Sequence, residues 1–220
     1  MQPDSPAYNV SVCLRLQGQI DTVALDCALQ QIVTRHEPLR SRFEQAADGL
    51  TVVVSPPKQS HPPSRQSSCD ENIAPLQFLQ LHECAETSDD ALSDRVSDEI
   101  NIPFDLDRSG LLRCVLFSGA VTQTHILVVV VHHLVFDHHS KSRLLEEISA
   151  LYNYYSHQNE SSAADSTEPL HGLITHYENY ALEKRQQLQG KQFDRQLRYW
   201  RKKLDQQAPP VVPLLSLIHI

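Results

Sequence analysis

Two adjacent histidines close an apolar run, and they are the first residues in this sequence whose types and spacing point to chemistry. Ile126-Leu127-Val128-Val129-Val130-Val131 leads directly into His132-His133-Leu134-Val135-Phe136-Asp137-His138-His139-Ser140. Imidazole changes its charge near neutral pH, so a histidine held at the end of a rigid element suits a general base or a hydrogen-bonding group at a reacting centre. Side chains alternate along a strand, which sends His132 and His133 to opposite faces. His132 then reads as a packing and hydrogen-bonding neighbour, and His133 as the working imidazole. Asp137 is placed where a carboxylate can hydrogen-bond or order an imidazole, and its simpler role is to fix the loop through an ion pair or backbone donors. The set His132, His133, Asp137, His138 and His139 also has the donor chemistry of a zinc site. Adjacent strand residues diverge, however, and no His-x-x-x-His helical face is present, so no metal is expected.

The elements that must position these groups follow from periodicity. Six β-branched or leucine residues in a row, Ile126 to Val131, with no helical repeat, predict a strand buried on both faces. Leu111–Phe117 is expected to pair with His125–Val131 across a Ser118-Gly119 turn, so that a hairpin delivers the histidines. After them Ser140 is expected to cap a helix carrying Leu144, Leu145, Ile148, Leu151, Tyr152 and Tyr155, ending before the polar stretch from His157 to Glu168.

Upstream, Val10, Val12, Leu14 and Leu16 alternate with polar or small residues, which is a half-buried strand ended by Gly18. Asp21 is placed to cap a helix with Leu25, Leu29, Ile32 and Val33 on one face, running to about Arg35 and closed by Pro38. Asp48-Gly49 marks a hairpin turn between Phe43 and Leu50–Val54. The proline- and serine-rich residues from Ser55 to Ser68 predict an exposed loop of low order. A short apolar segment follows at Leu76 to Leu81. Asp89 to Ile100 then reads as a helix with Leu92, Val96 and Ile100 on one face. Near the end, Leu188, Phe193, Leu197, Trp200 and Leu204 have the spacing of an amphipathic helix's buried side.

The segment His132-His133-Leu134-Val135-Phe136-Asp137-His138 resembles the His-His-x-x-x-Asp-Gly motif of the condensation domains of nonribosomal peptide synthetases, within the chloramphenicol acetyltransferase-like superfamily, with His138 in place of the glycine. Arg35-His36-Glu37-Pro38-Leu39-Arg40-Ser41-Arg42-Phe43 resembles the family's Arg-His-Glu-x-Leu-Arg-Thr-x-Phe, with Ser41 for threonine. By their physics alone, these basic residues would answer the dipole of a helix C-terminus. Ile102-Pro103-Phe104-Asp105-Leu106 and Gly110-Leu111-Leu112-Arg113 are similar to the segment before the active-site strand. His176-Tyr177-Glu178-Asn179-Tyr180-Ala181-Leu182 and Gln196–Leu204 resemble the later tyrosine motif and the Tyr-Trp helix, with Asn179 for aspartate and Glu183 for tryptophan.

The resemblance implies an α/β fold, a mixed sheet with packed helices forming the N-terminal lobe of a chloramphenicol acetyltransferase-like fold. Residues 1–215 are expected to be that lobe, truncated before the C-terminal one, with 216–220 a tail outside the family pattern. It implies an acyltransferase that condenses a carrier-bound acyl thioester with an amine, inactive as this fragment. His133 would be catalytic, and His132, Asp137 and His138 supporting. No cofactor is bound directly, because the substrates ride on phosphopantetheine arms. The implied partners are upstream and downstream peptidyl carrier domains, the missing C-terminal lobe, and an adenylation domain in the parent chain. A non-catalytic condensation-like scaffold and a coenzyme A-dependent small-molecule acyltransferase are the alternatives. Glycine at position 138 would allow φ > 0 and close backbone approach, which histidine opposes.

Composition agrees with an ordinary soluble globular protein and narrows the partners. Apolar residues at 40% with 21% charged residues describe a globular chain with a core, not a disordered one. A net charge of -8 gives no basic stripe for a phosphate backbone, so no nucleic acid is expected. The five cysteines, Cys13, Cys27, Cys69, Cys84 and Cys114, are scattered and include no Cys-x-x-Cys pair, which suits a reducing compartment. With no signal-peptide pattern and no apolar run long enough to span a bilayer, the expectation is a cytoplasmic protein that does not enter the membrane.

Overall fold

A strand without polar residues has nowhere to go but the middle of a sheet, and the architecture is built around that constraint. The computed structural model describes residues 5–46, 49–57, 78–83, 89–108, 110–119, 123–157, 169–173 and 175–205. Along the chain these form β1 (Asn9–Gln17), α1 (Thr22–Arg35), β2 (Ser41–Ala46), β3 (Gly49–Val54), β4 (Leu79–Glu83), α2 (Asp89–Asn101), β5 (Leu112–Gly119), β6 (Thr124–His132), α3 (His138–His157), α4 (Tyr177–Gln187) and α5 (Lys191–Leu204). Two units separate at Ile174 and Thr175, and they are described in turn.

The first unit is an α/β sandwich on a mixed sheet of order β1-β6-β5-β4, in which β6 is antiparallel to both neighbours and β4 is parallel to β5. Register puts Val12, Val129 and Cys114 across from one another on one face, and Cys13, Val128 and Val115 on the other. On the first face Leu127, Val129 and Val131 pack with Leu25, Leu29 and Ile32 of α1 and Leu144, Ile148 and Leu151 of α3. On the second, Val128 and Val130 meet Phe104, Leu111 and Phe117, with Leu92, Val96 and Ile100 of α2 and Phe43 of β2 alongside. Val128 through Val131 are all 0% exposed, and each buried valine contributes about 1.5–3 kcal/mol. The burial on both faces predicted for this strand is what is found.

Local signals account for the ends of most elements. Gly18 closes β1 at φ +96°, a conformation that glycine adopts without strain. Asp21 caps α1 by accepting from the backbone N–H of Val23 at 3.1 Å and of Ala24 at 2.9 Å. Asp48 of the expected Asp48-Gly49 turn lies outside the described residues, and the strands on either side pair antiparallel as β2 and β3, with Ala46 opposite Gly49. Two corrections apply near the histidines. Ser118 and Gly119 are still paired, with His125 and Thr124, so they belong to the β5–β6 ladder and not to a turn. α3 begins at His138, before Ser140, and its cap is Asp137. The predicted low-order loop lies outside the described residues from 58 to 68, as do the polar stretch 158–168 and the tail 216–220.

One buried carboxylate in this unit went unnoticed in the sequence. Asp26 of α1 accepts from the backbone N–H groups of Phe78 and Leu79, both at 2.9 Å, and from Gln30 Nε2 at 2.6 Å. It thereby satisfies donors at the start of β4, which would cost about 1–3 kcal/mol each if buried unpaired.

The second unit contains α4 and α5. Phe193, Leu197, Trp200 and Leu204 do fall on one stripe of α5, opposite Lys191, Arg195, Arg198 and Lys202. The expectation that this side is buried is corrected. Trp200 is 58% exposed and Leu204 62%, Leu188 is exposed as well, and Phe193 and Leu197 are only half-buried. Periodicity decides which residues share a face, whereas burial needs a surface to cover that face.

Candidate functional site

The end of β6 splits the histidine pair as alternation requires. His132 is 5% exposed, on the face that carries Val128 and Val130, whereas His133 is exposed just beyond the strand. Both backbones are pinned. His132 N–H donates to the Leu111 carbonyl at 3.1 Å, and His133 N–H donates to the Tyr8 carbonyl at 2.8 Å. A reverse turn follows, with Val135 N–H donating to the His132 carbonyl at 3.1 Å and Leu134 N–H donating to His132 Nδ1 at 3.1 Å.

His132 sits between two aromatic groups, Phe104 from the segment singled out before the active-site strand and Tyr8, which the sequence reading passed over. The Phe104 ring meets it edge-on at 6.1 Å and the Tyr8 ring is tilted against it at 6.0 Å. Phe104 is itself held under the guanidinium of Arg113, 4.7 Å from the ring centre. Arg113 Nη2 also donates to the carbonyls of Glu99 at 2.7 Å and Ile102 at 3.0 Å, and Asn9 Nδ2 donates to Ile100 at 2.7 Å and Ile102 at 2.9 Å. These donors satisfy carbonyls that a helix C-terminus leaves open. They tie α2 to β1 and β5, the two strands that flank β6 in the sheet. Burial, and then the neighbouring His133, hold the His132 imidazole below its ordinary value of 6.5.

Asp137 does not reach His133. Its Oδ1 accepts from Ser140 N–H at 2.8 Å and from Ser140 Oγ–H at 2.7 Å, and its own N–H donates to Ser140 Oγ at 3.3 Å. That reciprocal arrangement is a helix capping box with serine at the third position. The two bonds from Ser140 hold the Asp137 carboxyl below the usual carboxylate range. Of the two roles considered for Asp137, ordering the imidazole and fixing the loop through backbone donors, the second is the one observed.

His138 occupies the first position of α3 and His139 the second, both exposed, with ring centres 6.1 Å apart. Among the described residues Gln123 is the only non-glycine with positive φ. Position 138 therefore takes helical backbone here, and the expected conflict between histidine and a positive φ does not arise. Among the described residues no group of three or more His, Cys, Asp or Glu side chains converges as a metal site.

The Arg35-His36-Glu37 segment does more than answer a helix dipole. His36 Nε2 lies 2.6 Å from Oε2 of Glu147 on α3, and Arg35 Nε lies 3.6 Å from Oε1. Glu147 is 4% exposed. Sequence reasoning passed over it, although a signal existed: it falls on the apolar face of α3, three residues after Leu144 and four before Leu151. A carboxylate inside such a stripe has to find a buried partner.

The chain also shares its pattern with known proteins. A family model described as the condensation domain matches residues 1–217. Chondramide synthase of Chondromyces crocatus is 30% identical over 213 residues, covering 95% of this chain and 5% of that protein. Malpinin synthetase of Mortierella alpina is 30% identical over 199 residues, covering 90% of this chain and 2% of that protein. The chain thus spans 5% or less of the length of these curated relatives. Among solved structures, the starter condensation domain of rhizomide synthetase is similar in fold, with a TM-score of 0.73 at 18% identity over 95% of this chain and 45% of that one. The X-domain from teicoplanin biosynthesis has a TM-score of 0.73 at 23% identity over 97% and 42% respectively.

Proposed function

Because the chain belongs to the condensation-domain family, we propose that residues 1–215 are the lobe of such a domain that presents its working histidine, and that His133 is that residue. Condensation domains act on carrier-bound substrates and sit in synthetase modules beside carrier and adenylation domains. For this chain the reading is amide bond formation between an acyl thioester and an amine, each delivered on a phosphopantetheine arm by the carrier domain before or after it.

The observation that carries the reading is the split of the pair at the end of β6. A buried His132 is engaged with Leu134 N–H, and among the described residues the exposed His133 is bonded through its backbone alone. In the reaction the amine nitrogen attacks the thioester carbonyl carbon, the C–N bond forms, the C–S bond breaks, and the proton shed by nitrogen ends on the thiol. An exposed neutral imidazole is free to take that proton, or to hydrogen-bond the oxyanion of the tetrahedral species. Holding both thioesters in line supplies a large further part of the rate. Solved relatives about twice as long as this chain support a second lobe as the opposite wall of the site. The helical backbone at His138 supports the catalytic reading over a non-catalytic scaffold, because histidine is unstrained there.

The test is single-turnover transfer between two loaded carrier proteins by the full condensation domain that contains this lobe. His133→Ala is expected to abolish product while melting within about 1 kcal/mol of the parent, since the side chain is exposed. Product formation at the parental rate by the alanine variant would overturn the assignment.

A further inference from the structure

The turn that follows β6 is built on a side chain, and its bonding determines which protonation state of His132 it needs. Leu134 N–H is a donor and reaches His132 Nδ1 at 3.1 Å, so Nδ1 must present a lone pair. A neutral ring that accepts at Nδ1 carries its proton on Nε2. The bond runs from residue i+2 back to the side chain of residue i, which is the pattern of an Asx-turn, with imidazole Nδ1 standing where an asparagine or aspartate oxygen would be. The His132 carbonyl meanwhile accepts from Val135 N–H at 3.1 Å. One residue thus accepts two bonds from the turn, once by main chain and once by ring. His133 is the first central residue of that turn, and its N–H is fixed to Tyr8 at 2.8 Å.

We propose that His132 is a positioning residue for His133: its Nε2–H tautomer latches Leu134 N–H, fixes the turn, and so aims the neighbouring imidazole. Nothing in this role needs a titrating group, only an acceptor at the Nδ1 position on a side chain of the right length. Asparagine has that acceptor in the same place. Glutamine carries its oxygen one methylene further out, at the level of Nε2, and phenylalanine fills the space between Tyr8 and Phe104 without any acceptor. The ring contacts with Phe104 at 6.1 Å and Tyr8 at 6.0 Å explain why a flat group stands here. They do not explain the bond to Leu134. As a statement about catalysis the proposal rests on His133 being the working group. The measurements below do not depend on that reading, so each can fail alone.

The experiment uses the 220-residue chain with nitrogen-15-labelled histidine and long-range proton–nitrogen spectra of the imidazole rings at pH 7.5. His132 is expected to show an unprotonated acceptor nitrogen at Nδ1 and a protonated Nε2. The opposite tautomer would overturn the proposal without any variant being made. His132→Asn is expected to keep the Leu134 amide protected from exchange to within a few-fold, and to keep His133 ring shifts near the parent's. His132→Gln and His132→Phe are expected to exchange Leu134 about tenfold faster or more, with His133 shifts moving toward those of a free side chain. Protection at Leu134 that survives in the phenylalanine variant would show that the latch fixes nothing. Loss in the asparagine variant equal to that in the phenylalanine variant would equally refute it.

Discussion

Removing Glu147 should reveal how much of the first unit's stability runs through one polar contact between the C-terminal end of α1 and α3. Glu147→Ala deletes a hydrogen bond from His36 Nε2 at 2.6 Å and an ion pair with Arg35 Nε at 3.6 Å, from a carboxylate whose side chain is 5% exposed. A hydrogen bond to a carboxylate is worth about 1.5–3 kcal/mol. The Arg35 pair is longer and its guanidinium also donates to the His171 carbonyl, so its loss adds a few tenths of a kcal/mol. The truncated stem leaves a small cavity beside Leu144 and Leu151, worth up to about 1 kcal/mol. The sum is about 3 kcal/mol, or ~6–12 °C in Tm for a chain of this size. Glu147→Gln keeps the volume and one acceptor and should lose about 1–1.5 kcal/mol. Urea unfolding followed by far-UV circular dichroism is the suitable assay, because the single tryptophan, Trp200, lies in the second unit. A double-mutant cycle with His36→Ala should return a coupling of at least about 1 kcal/mol. If Glu147→Ala costs less than about 0.5 kcal/mol, or the cycle shows no coupling, the contact is incidental and the Arg35-His36 segment does not stabilise the fold through Glu147.

Three further outcomes are expected. His132 is held below 6.5 by burial and by the nearby His133, so around pH 6 the folded chain binds fewer protons there than the unfolded one. Its contribution to stability is complete above pH 6.5 and is lost as pH falls through the lower folded value. Melts from pH 7.5 to 5 should therefore fall more steeply for the parent than for His132→Asn, and equal slopes would contradict this. In the full condensation domain, His138→Gly should not raise turnover through the backbone, because position 138 is already helical. Glycine there should cost up to about 1 kcal/mol of stability in a melt, and a large gain in single-turnover rate would show that position 138 limits the reaction by bulk or charge. Asp137→Ala should lower the melting temperature at pH 7 while Asp137→Asn retains most of it, because asparagine caps equally well. A rate loss in Asp137→Asn without a stability loss would point instead to a direct role in the chemistry.

Much of this fold was legible in the sequence for a simple physical reason. Elements whose partners are near in sequence, or whose composition leaves one solution, state themselves. The uninterrupted run Ile126–Val131 had to be an interior strand, Asp21 had to cap what followed it, and alternation alone put His132 and His133 on opposite sides. The motif spacing carried the family as well. Relations between distant segments were decided only by tertiary structure. Asp137 became a helix cap and not an imidazole partner because α3 starts one residue after it, where the open N–H groups of a first turn compete for any carboxylate in reach. Glu147 met His36 because two helices share one face of the sheet, and Phe104 met His132 because α2 covers the other. For α5 the sequence specified an apolar stripe, yet whether that stripe is buried depends on a covering surface that periodicity cannot contain.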